Sequence, residues 1–180
     1  MLAILFAMCV VLSAAALSSC NKNENTENVP DGMVNIAAEN AGYSFYVPTT
    51  WKYTTGSDTP SAYYSNNDAS NVSVMSFTVE YSDYTVDDWW NSFAEDFEEV
   101  YEGYELISSE ETVLGGVAAV KKVFKGTLGE LEYEFLQVSA IRKEALSAPQ
   151  VVVFTYTSIP DAFEGHSDDV AKMIENFKFN

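Results

Sequence analysis

The stretch QVVVFTYTS, residues 150–158, constrains the fold more than any other part of this chain. Its apolar residues fall at both odd and even positions, so both sides of the segment must be covered. A strand that is buried on both faces belongs inside a sheet with other structure packed above and below it. The sequence therefore predicts an inner strand of a covered sheet at this place.

Other strand-like runs lie on either side of a helical stretch. They are residues 43–47, 61–65, 71–81, 105–114, 117–125 and 130–143. Gly115-Gly116 and the loop at 126–129 are tight links, which favour antiparallel pairing. The order of strands, helix, strands and helix predicts an α+β domain with a single antiparallel β-sheet and helices packed on it.

The first helical stretch begins after Thr85, and its apolar residues recur at helical spacing on one stripe. The stripe consists of Trp89, Phe93, Phe97, Val100 and Tyr104. Thr85 and Asp88 have the spacing of a capping box, and Gly103 marks the predicted end. One amphipathic helix is therefore expected to pack against the sheet.

A last helix is predicted from Pro160 to Phe177, with Ser158 as its cap and Pro160 in the first turn. Its inner stripe holds Phe163, Val170, Met173, Ile174 and Phe177.

Residues 117–125 and the run from Glu130 are predicted to form a hairpin in which Gly126 faces Gly129. Lys125 would then lie opposite Glu130, and Lys121 opposite Glu134. Because side chains alternate along a strand, these charges share one face, and opposed pairs stabilise a sheet modestly. We expect a solvent-facing ladder of charges here rather than an anion site.

The chain begins with MLAILFAMCVVLSAAA, an uncharged run too short for a comfortable membrane span but typical of a signal peptide. The next residues, Leu17-Ser18-Ser19-Cys20, resemble the bacterial lipobox. The resemblance implies a lipoprotein signal peptide at residues 1–19 and a lipid on Cys20 that anchors the chain to the extracytoplasmic face of the cell membrane. An ordinary signal peptide is the alternative, and a start codon upstream of Met1 stays open because no Lys or Arg precedes the run.

Residues 20–40 are interpreted as the lipidated cysteine and a flexible tether, and residues 41–180 as one domain. The formal net charge of −18 disfavours nucleic acid and anionic lipid surfaces as partners. Cys9 leaves with the signal peptide, so no disulfide can form within one mature chain, and a packed core must supply the stability.

Four segments, FYVPTTW, GGVAAVKKVF, VVVFTYTSIPDAF and MIENFKF, resemble the PsbP-like family, which includes bacterial lipoproteins. The resemblance spans about residues 43–179. It implies an α/β/α sandwich and a non-catalytic role in binding or assisting a membrane-associated complex, and therefore a protein partner. The metal positions of some plant members have no matching motif, so none is transferred.

No motif of a hydrolase, a zinc enzyme or a nucleotide-binding protein occurs, and no cofactor is predicted. The single histidine, His166, is interpreted as structural, because a general base needs a nucleophile and an orienting partner. Asn66, Asn67, Asp68 and Asn71, or Asp83, Asp87 and Asp88, offer oxygen ligands for calcium without EF-hand spacing. The chain is therefore not expected to be an enzyme, and a weak calcium site stays open.

Aromatic residues are abundant, and they suit either the core or a binding surface. Trp51, Tyr53, Tyr63 and Tyr64 are the candidate contact surface. The predicted function is that of a membrane-anchored binding or assembly-assisting module. A solute-binding lipoprotein with an internal pocket and a hydrolase are the alternatives, and the oligomeric state is left open.

Overall fold

The computed structural model describes residues 29–65, 68–143 and 148–180 of the 180-residue chain. The predicted signal peptide, the lipidation site Cys20 and the first part of the predicted tether lie outside these ranges. Within the described part, no helix is long and apolar enough to cross a membrane.

The described residues form strands β1 Met33–Asn35, β2 Tyr43–Ser44, β3 Tyr46–Pro48, β4 Lys52–Tyr53, β5 Ser61–Ser65, β6 Asp68–Thr78, β7 Glu102–Leu114, β8 Val117–Leu128, β9 Leu131–Arg142, β10 Gln150–Ser158 and β11 Lys178–Phe179. The helices are α1 Val86–Asn91, α2 Ala94–Val100, α3 Pro160–Phe163 and α4 Ser167–Asn176, and a 3₁₀ turn spans Glu164–His166.

Seven strands form one antiparallel sheet in the order β4-β5-β6-β10-β9-β8-β7. Strand β10 lies in the middle, and Val151, Val152, Val153 and Phe154 are all buried. Alternate residues of β10 pack against different layers, so the double-sided apolar pattern of this segment is explained. The predicted inner strand is confirmed.

Helices cover both faces of this sheet. Trp89, Trp90 and Phe97 from α1 and α2 pack on one face, against Phe124 and Phe135. On the other face, α3 and α4 pack over a second buried cluster, which contains Phe154, Phe163, Val170, Met173 and Phe177. The architecture is an α/β/α sandwich of the α+β class, as predicted. We call the two sides the α1–α2 face and the α4 face.

The stretch after Thr85 forms two short helices, so the prediction of one helix ending at Gly103 is wrong. The capping box is present: Thr85 Oγ1 accepts from the Asp88 amide at 3.1 Å, and Asp88 Oδ2 accepts from the Thr85 amide at 2.9 Å. Ser92 then donates its hydroxyl to the Asp88 carbonyl at 2.6 Å, a contact that bends helices. Phe93 leaves the helical conformation, and α2 starts after it.

The last helical stretch is also divided. It consists of α3, the 3₁₀ turn and α4, and the residue before α3 is Ile159, which makes no side-chain cap. Ser158 is a fully buried residue of β10, and its hydroxyl lies 2.8 Å from that of Ser70. Ser158 therefore ties β10 to β6 instead of capping a helix.

The folded domain begins earlier than residue 41. Strand β1 pairs with β3 through Val34 and Val47, and Ile36 is fully buried. Asn35 Oδ1 accepts from the Phe45 amide at 3.1 Å and holds this segment in place. The last part of the predicted tether is thus a packed edge of the domain.

Strands β8 and β9 form the predicted hairpin with a different register. Leu128 faces Leu131 across the two-residue turn Gly129-Glu130, so Lys125 pairs with Glu134. The predicted pairing of Gly126 with Gly129 is therefore wrong. The two registers differ by an even number of residues, so Lys125 and Glu134 keep the predicted face.

The charge ladder runs between β8 and β7, not between β8 and β9. Lys125 Nζ lies 3.0 Å from Glu105 Oε2, and Lys121 forms an ion pair with Glu110. Lys122 points to the opposite side, where its Nζ lies 4.4 Å from the centroid of the Trp90 ring. A ladder of opposite charges exists, but its acidic partners differ from the predicted ones.

Candidate functional site

An open groove of about 420 Å³ lies on the α4 face, between β7 and the helices α3 and α4. This volume is within the range of about 300–1,000 Å³ that is common for ligand sites. Val123, Leu136 and Tyr156 form the floor. The walls are formed on one side by Ile107 and Ser108 and on the other by Phe163, Glu164, Ser167, Val170, Ala171 and Ile174.

A β-bulge in the edge strand β7 determines which side chains form one wall of the groove. Leu106 pairs with Phe124 and Ser108 with Val123, so Ile107 is an extra residue without a partner of its own in this register. Bulges of this kind re-aim side chains at sheet edges. Ile107 and Ser108 thereby both line the groove, and 49% of Ile107 is exposed.

Charged residues mark the two ends of the groove. Lys121 lies at one end and is paired with Glu110. Glu134 lines the other end, and its strand partner Lys125 is paired with Glu105. The two lysines are four residues apart on one strand, which corresponds to about 13 Å. The groove thus has an apolar middle of this length between two charged rungs.

Glu134 is the carboxylate that stands out at this site. Within the described residues it has neither an ion pair nor a hydrogen bond, because Lys125 is engaged by Glu105. Burial raises the pKa of Glu134, repulsion from Glu164 raises it further, and Lys125 offsets part of this. A cationic group placed between Glu134 and Glu164 would offset the repulsion between the two carboxylates.

The histidine forms a second cluster near the other edge of the sheet. His166 Nε2 lies 2.9 Å from Asp68 Oδ2, and its ring centroid lies 4.2 Å from that of Tyr64 and 5.5 Å from that of Trp51. Burial would raise the pKa of Asp68, but hydrogen bonds from Ser70 and His166 outweigh it and lower that pKa. These contacts join the 3₁₀ turn to β5 and β6.

Only some of the aromatic residues predicted to form a contact surface are exposed. Trp51 is 1% exposed and belongs to the core, so it is removed from the candidate surface. Tyr53 and Tyr64 are exposed, and Tyr63 is half-buried beneath Lys52. These tyrosines lie on β4 and β5, at the opposite edge of the sheet from the groove.

The groove residues were missed by sequence reasoning. Leu106 and Ile107 carried a signal, because these two consecutive apolar residues stand between Glu105 and the polar, acidic residues 108–112. Such a break in the alternation is typical of a bulge or of an exposed apolar contact. Leu136 and Val123 gave no signal of their own, because they look like ordinary strand residues.

The acidic residues proposed as calcium ligands are divided between other roles. Asp88 caps α1, and Asp68 Oδ1 accepts from the Ser70 amide at 2.7 Å. Asn66 and Asn67 lie outside the described residues. In the described ranges, no three His, Cys, Asp or Glu residues are grouped so that they could hold a metal ion.

Several solved structures share this fold. The chain is similar to LpqN, a protein involved in cell envelope biogenesis of Mycobacterium tuberculosis, with a TM-score of 0.61 and 13% identity over 81% of this chain and 89% of that one. It is also similar to cyanobacterial PsbP (CyanoP) from Synechocystis sp., with a TM-score of 0.60 and 15% identity over 91% of this chain and 99% of that one.

A third similar structure is the Saccharomyces cerevisiae Ran-binding protein Mog1p, with a TM-score of 0.50 and 12% identity over 82% of this chain and 95% of that one. No protein-family model matches the chain, and no curated protein matches it significantly. At these identities the similarity shows the fold, which is PsbP-like.

Proposed function

We propose that this chain is a PsbP-like lipoprotein without catalytic activity, a binding module that assists a protein complex at the extracytoplasmic face of the cell membrane. The lipobox-like LSSC sequence supports a lipid anchor on Cys20. LpqN, a neighbour in fold, is described as involved in cell envelope biogenesis, which is consistent with work at such a surface.

The groove on the α4 face carries this proposal. Its floor is apolar, its bulged wall exposes Ile107, and it opens to solvent along β7. Exposed apolar surface with a polar rim is typical of protein interaction sites.

The arrangement of His166 supports a role without catalysis. Its Nε2 faces Asp68, and its ring packs against both Tyr64 and Trp51. These contacts hold secondary-structure elements together, which is the role expected of a structural histidine.

Solute binding is the second candidate, because the groove volume of about 420 Å³ would hold a small amphiphile. The open shape of the groove favours a protein segment over an enclosed solute. Native mass spectrometry of the purified domain tests this alternative, since a retained small molecule would favour solute binding.

Photo-cross-linking tests the main proposal. A photoreactive amino acid replaces Ile107 in the full chain, expressed in the cells that make it, and the same replacement at Tyr81, which is 68% exposed and outside the groove, is the control. We expect a discrete protein adduct in the membrane fraction from position 107 only. Ala171→Arg, on the helical wall, should abolish the adduct. Equal adducts at both positions, or none at 107, would contradict the proposal.

A further inference from the structure

The two edges of the seven-stranded sheet differ in length. Strand β4 at one edge has 2 residues, whereas β7 at the other has 13. Among the described strands, only β8 pairs with β7. The outer side of β7 therefore presents a long row of backbone donors and acceptors, a surface that can accept another strand.

Exposed carboxylates accompany this edge. Glu105 and Glu110 are engaged by Lys125 and Lys121, whereas Glu102 and Glu111 have no ion pair within the described part of the chain. All four side chains belong to exposed residues of β7. A strand that pairs here would meet a predominantly negative edge.

This charge selects against a second copy of the same chain. Two β7 edges placed side by side would bring their glutamates together, and like charges on neighbouring strands are destabilising. The formal net charge of −18 adds a general repulsion between copies. A basic segment of another protein would instead be attracted.

We infer that β7 binds an extended, basic segment of a partner protein. The segment pairs with the outer edge of β7 as an additional strand, and alternate side chains of the segment point along the groove. The inference rests on the proposed function and names the class of partner. Main-chain hydrogen bonds would supply affinity in this mode, and side-chain contacts would supply specificity.

The pattern of β7 sets the pattern of the partner. On the α4 face, Glu105 and Glu110 lie on either side of Ile107 and Ser108. A complementary strand has an apolar side chain beside Ile107 and lysine or arginine beside each glutamate. Neighbouring side chains on one face are two residues apart. Basic and apolar residues therefore take turns at every second position of the segment, and the residues between them point to the other face.

Peptide binding to the folded domain tests the inference. The probe is a synthetic peptide of about ten residues that repeats Lys-Thr-Val-Thr, so that lysine and valine take turns on one face, and its length suits one strand. The control peptide has glutamate in place of lysine. Isothermal titration should detect the basic peptide only, and its affinity should fall as salt is added. Equal binding of both peptides would overturn the basic partner class.

Hydrogen exchange then locates the bound peptide. Strand addition protects the outward amides of β7 against exchange, because they acquire acceptors. Protection confined to α3, α4 and the groove floor would overturn strand addition. Ultracentrifugation of the domain alone gives a further check, since a dimer that protects the same β7 amides would identify a second copy as the occupant and overturn the inference.

Charge reversal provides the matched variants. The double variant Glu102→Lys and Glu111→Lys should weaken binding of the basic peptide by about tenfold or more. Asp58→Lys, in the exposed loop beside the opposite edge, should leave it unchanged. If no basic peptide binds while position 107 still cross-links to a membrane partner, this inference fails and the proposed function stands. If both experiments fail, both are wrong.

Discussion

Trp51 Nε1 donates a hydrogen bond to Asp169 Oδ2 at 2.9 Å, although the two residues are 118 positions apart. Trp51 precedes β4, and Asp169 lies in the first turn of α4. The bond joins the N-terminal part of the domain to the helix that forms a wall of the groove. The position of α4 over the sheet therefore depends partly on this single contact.

We expect Asp169→Ala to lower the free energy of unfolding by about 1–3 kcal/mol, because the buried indole N–H loses a charged acceptor. Asp168→Ala is the matched control, since it removes another acidic side chain from the first turn of α4 without this bond. Urea unfolding followed by fluorescence measures both variants. Equal losses of unfolding free energy in the two variants would mean that Asp169 stabilises the domain only through its negative charge at the start of α4.

The stability of the domain should depend on pH through Asp68. Its pKa is lowered in the folded state by hydrogen bonds from Ser70 and His166, which outweigh burial. The stabilisation is therefore present above the unfolded-state pKa of about 3.8 and is lost as the pH falls through the lower folded-state value. In urea melts, Asp68→Asn should flatten this part of the pH profile. An unchanged profile would assign the acid sensitivity to other carboxylates.

Gly126 should not tolerate a side chain. A Cβ atom at this position would lie 2.6 Å from Tyr101 Cβ, in the packed layer between β8 and the end of α2. Gly126→Ala should therefore destabilise the domain by about 1–3 kcal/mol through overpacking. Gly165→Ala, with open space around it, is the control and should be neutral or slightly stabilising in thermal unfolding. If Gly165→Ala were the more destabilising variant, the packing around Tyr101 would be able to accommodate the added methyl group.

Phe97 lies at the centre of the α1–α2 face, where its ring contacts those of Trp90, Tyr101, Tyr104 and Phe124. We expect Phe97→Ala to cost about 3–5 kcal/mol of unfolding free energy, since it leaves a cavity in this cluster. The neighbouring exposed residue provides the comparison: Glu98→Ala should stay within about 0.5 kcal/mol. Urea melts that rank the two variants in the other order would refute the inward position of Phe97.

The anchor is tested at Cys20. Cys20→Ala should leave an unprocessed precursor or release the protein from membranes, because the thiol that would carry the lipid is lost. Metabolic labelling with a fatty acid, followed by fractionation, is the measurement. An unlabelled, fully released wild-type chain would show that LSSC is not a lipobox.

Periodicity was sufficient to predict the fold class. The double-sided apolar pattern of β10 required cover on two faces, and the stripe of Trp89 and Phe97 supplied one of the covering layers. The break between α1 and α2 escaped prediction because the stripe continues through it. Its cause is a local hydrogen bond from Ser92 to the Asp88 carbonyl, which leaves the spacing of apolar residues unchanged.

The hairpin register could not be fixed by the same means. Pairing Gly126 with Gly129 and pairing Leu128 with Leu131 both keep Lys125 and the apolar residues on their own faces, so alternation does not distinguish them. The turn at Gly129, with φ of 70°, decides the register locally. The groove could not be predicted from local patterns either, because it combines a bulge at Ile107 with a helix that is distant in sequence.

The position of β10 also determines when the sheet can be completed. Strands β4 to β6 form one unit and β7 to β9 another. Among the described strands, β10 alone joins the two units, because it pairs with β6 on one side and with β9 on the other. A nascent chain that stops before Gln150 therefore holds two separate sheet fragments with unpaired inner edges. The domain becomes a single cooperative unit only after Ser158 has been synthesised, because β10 joins the two fragments.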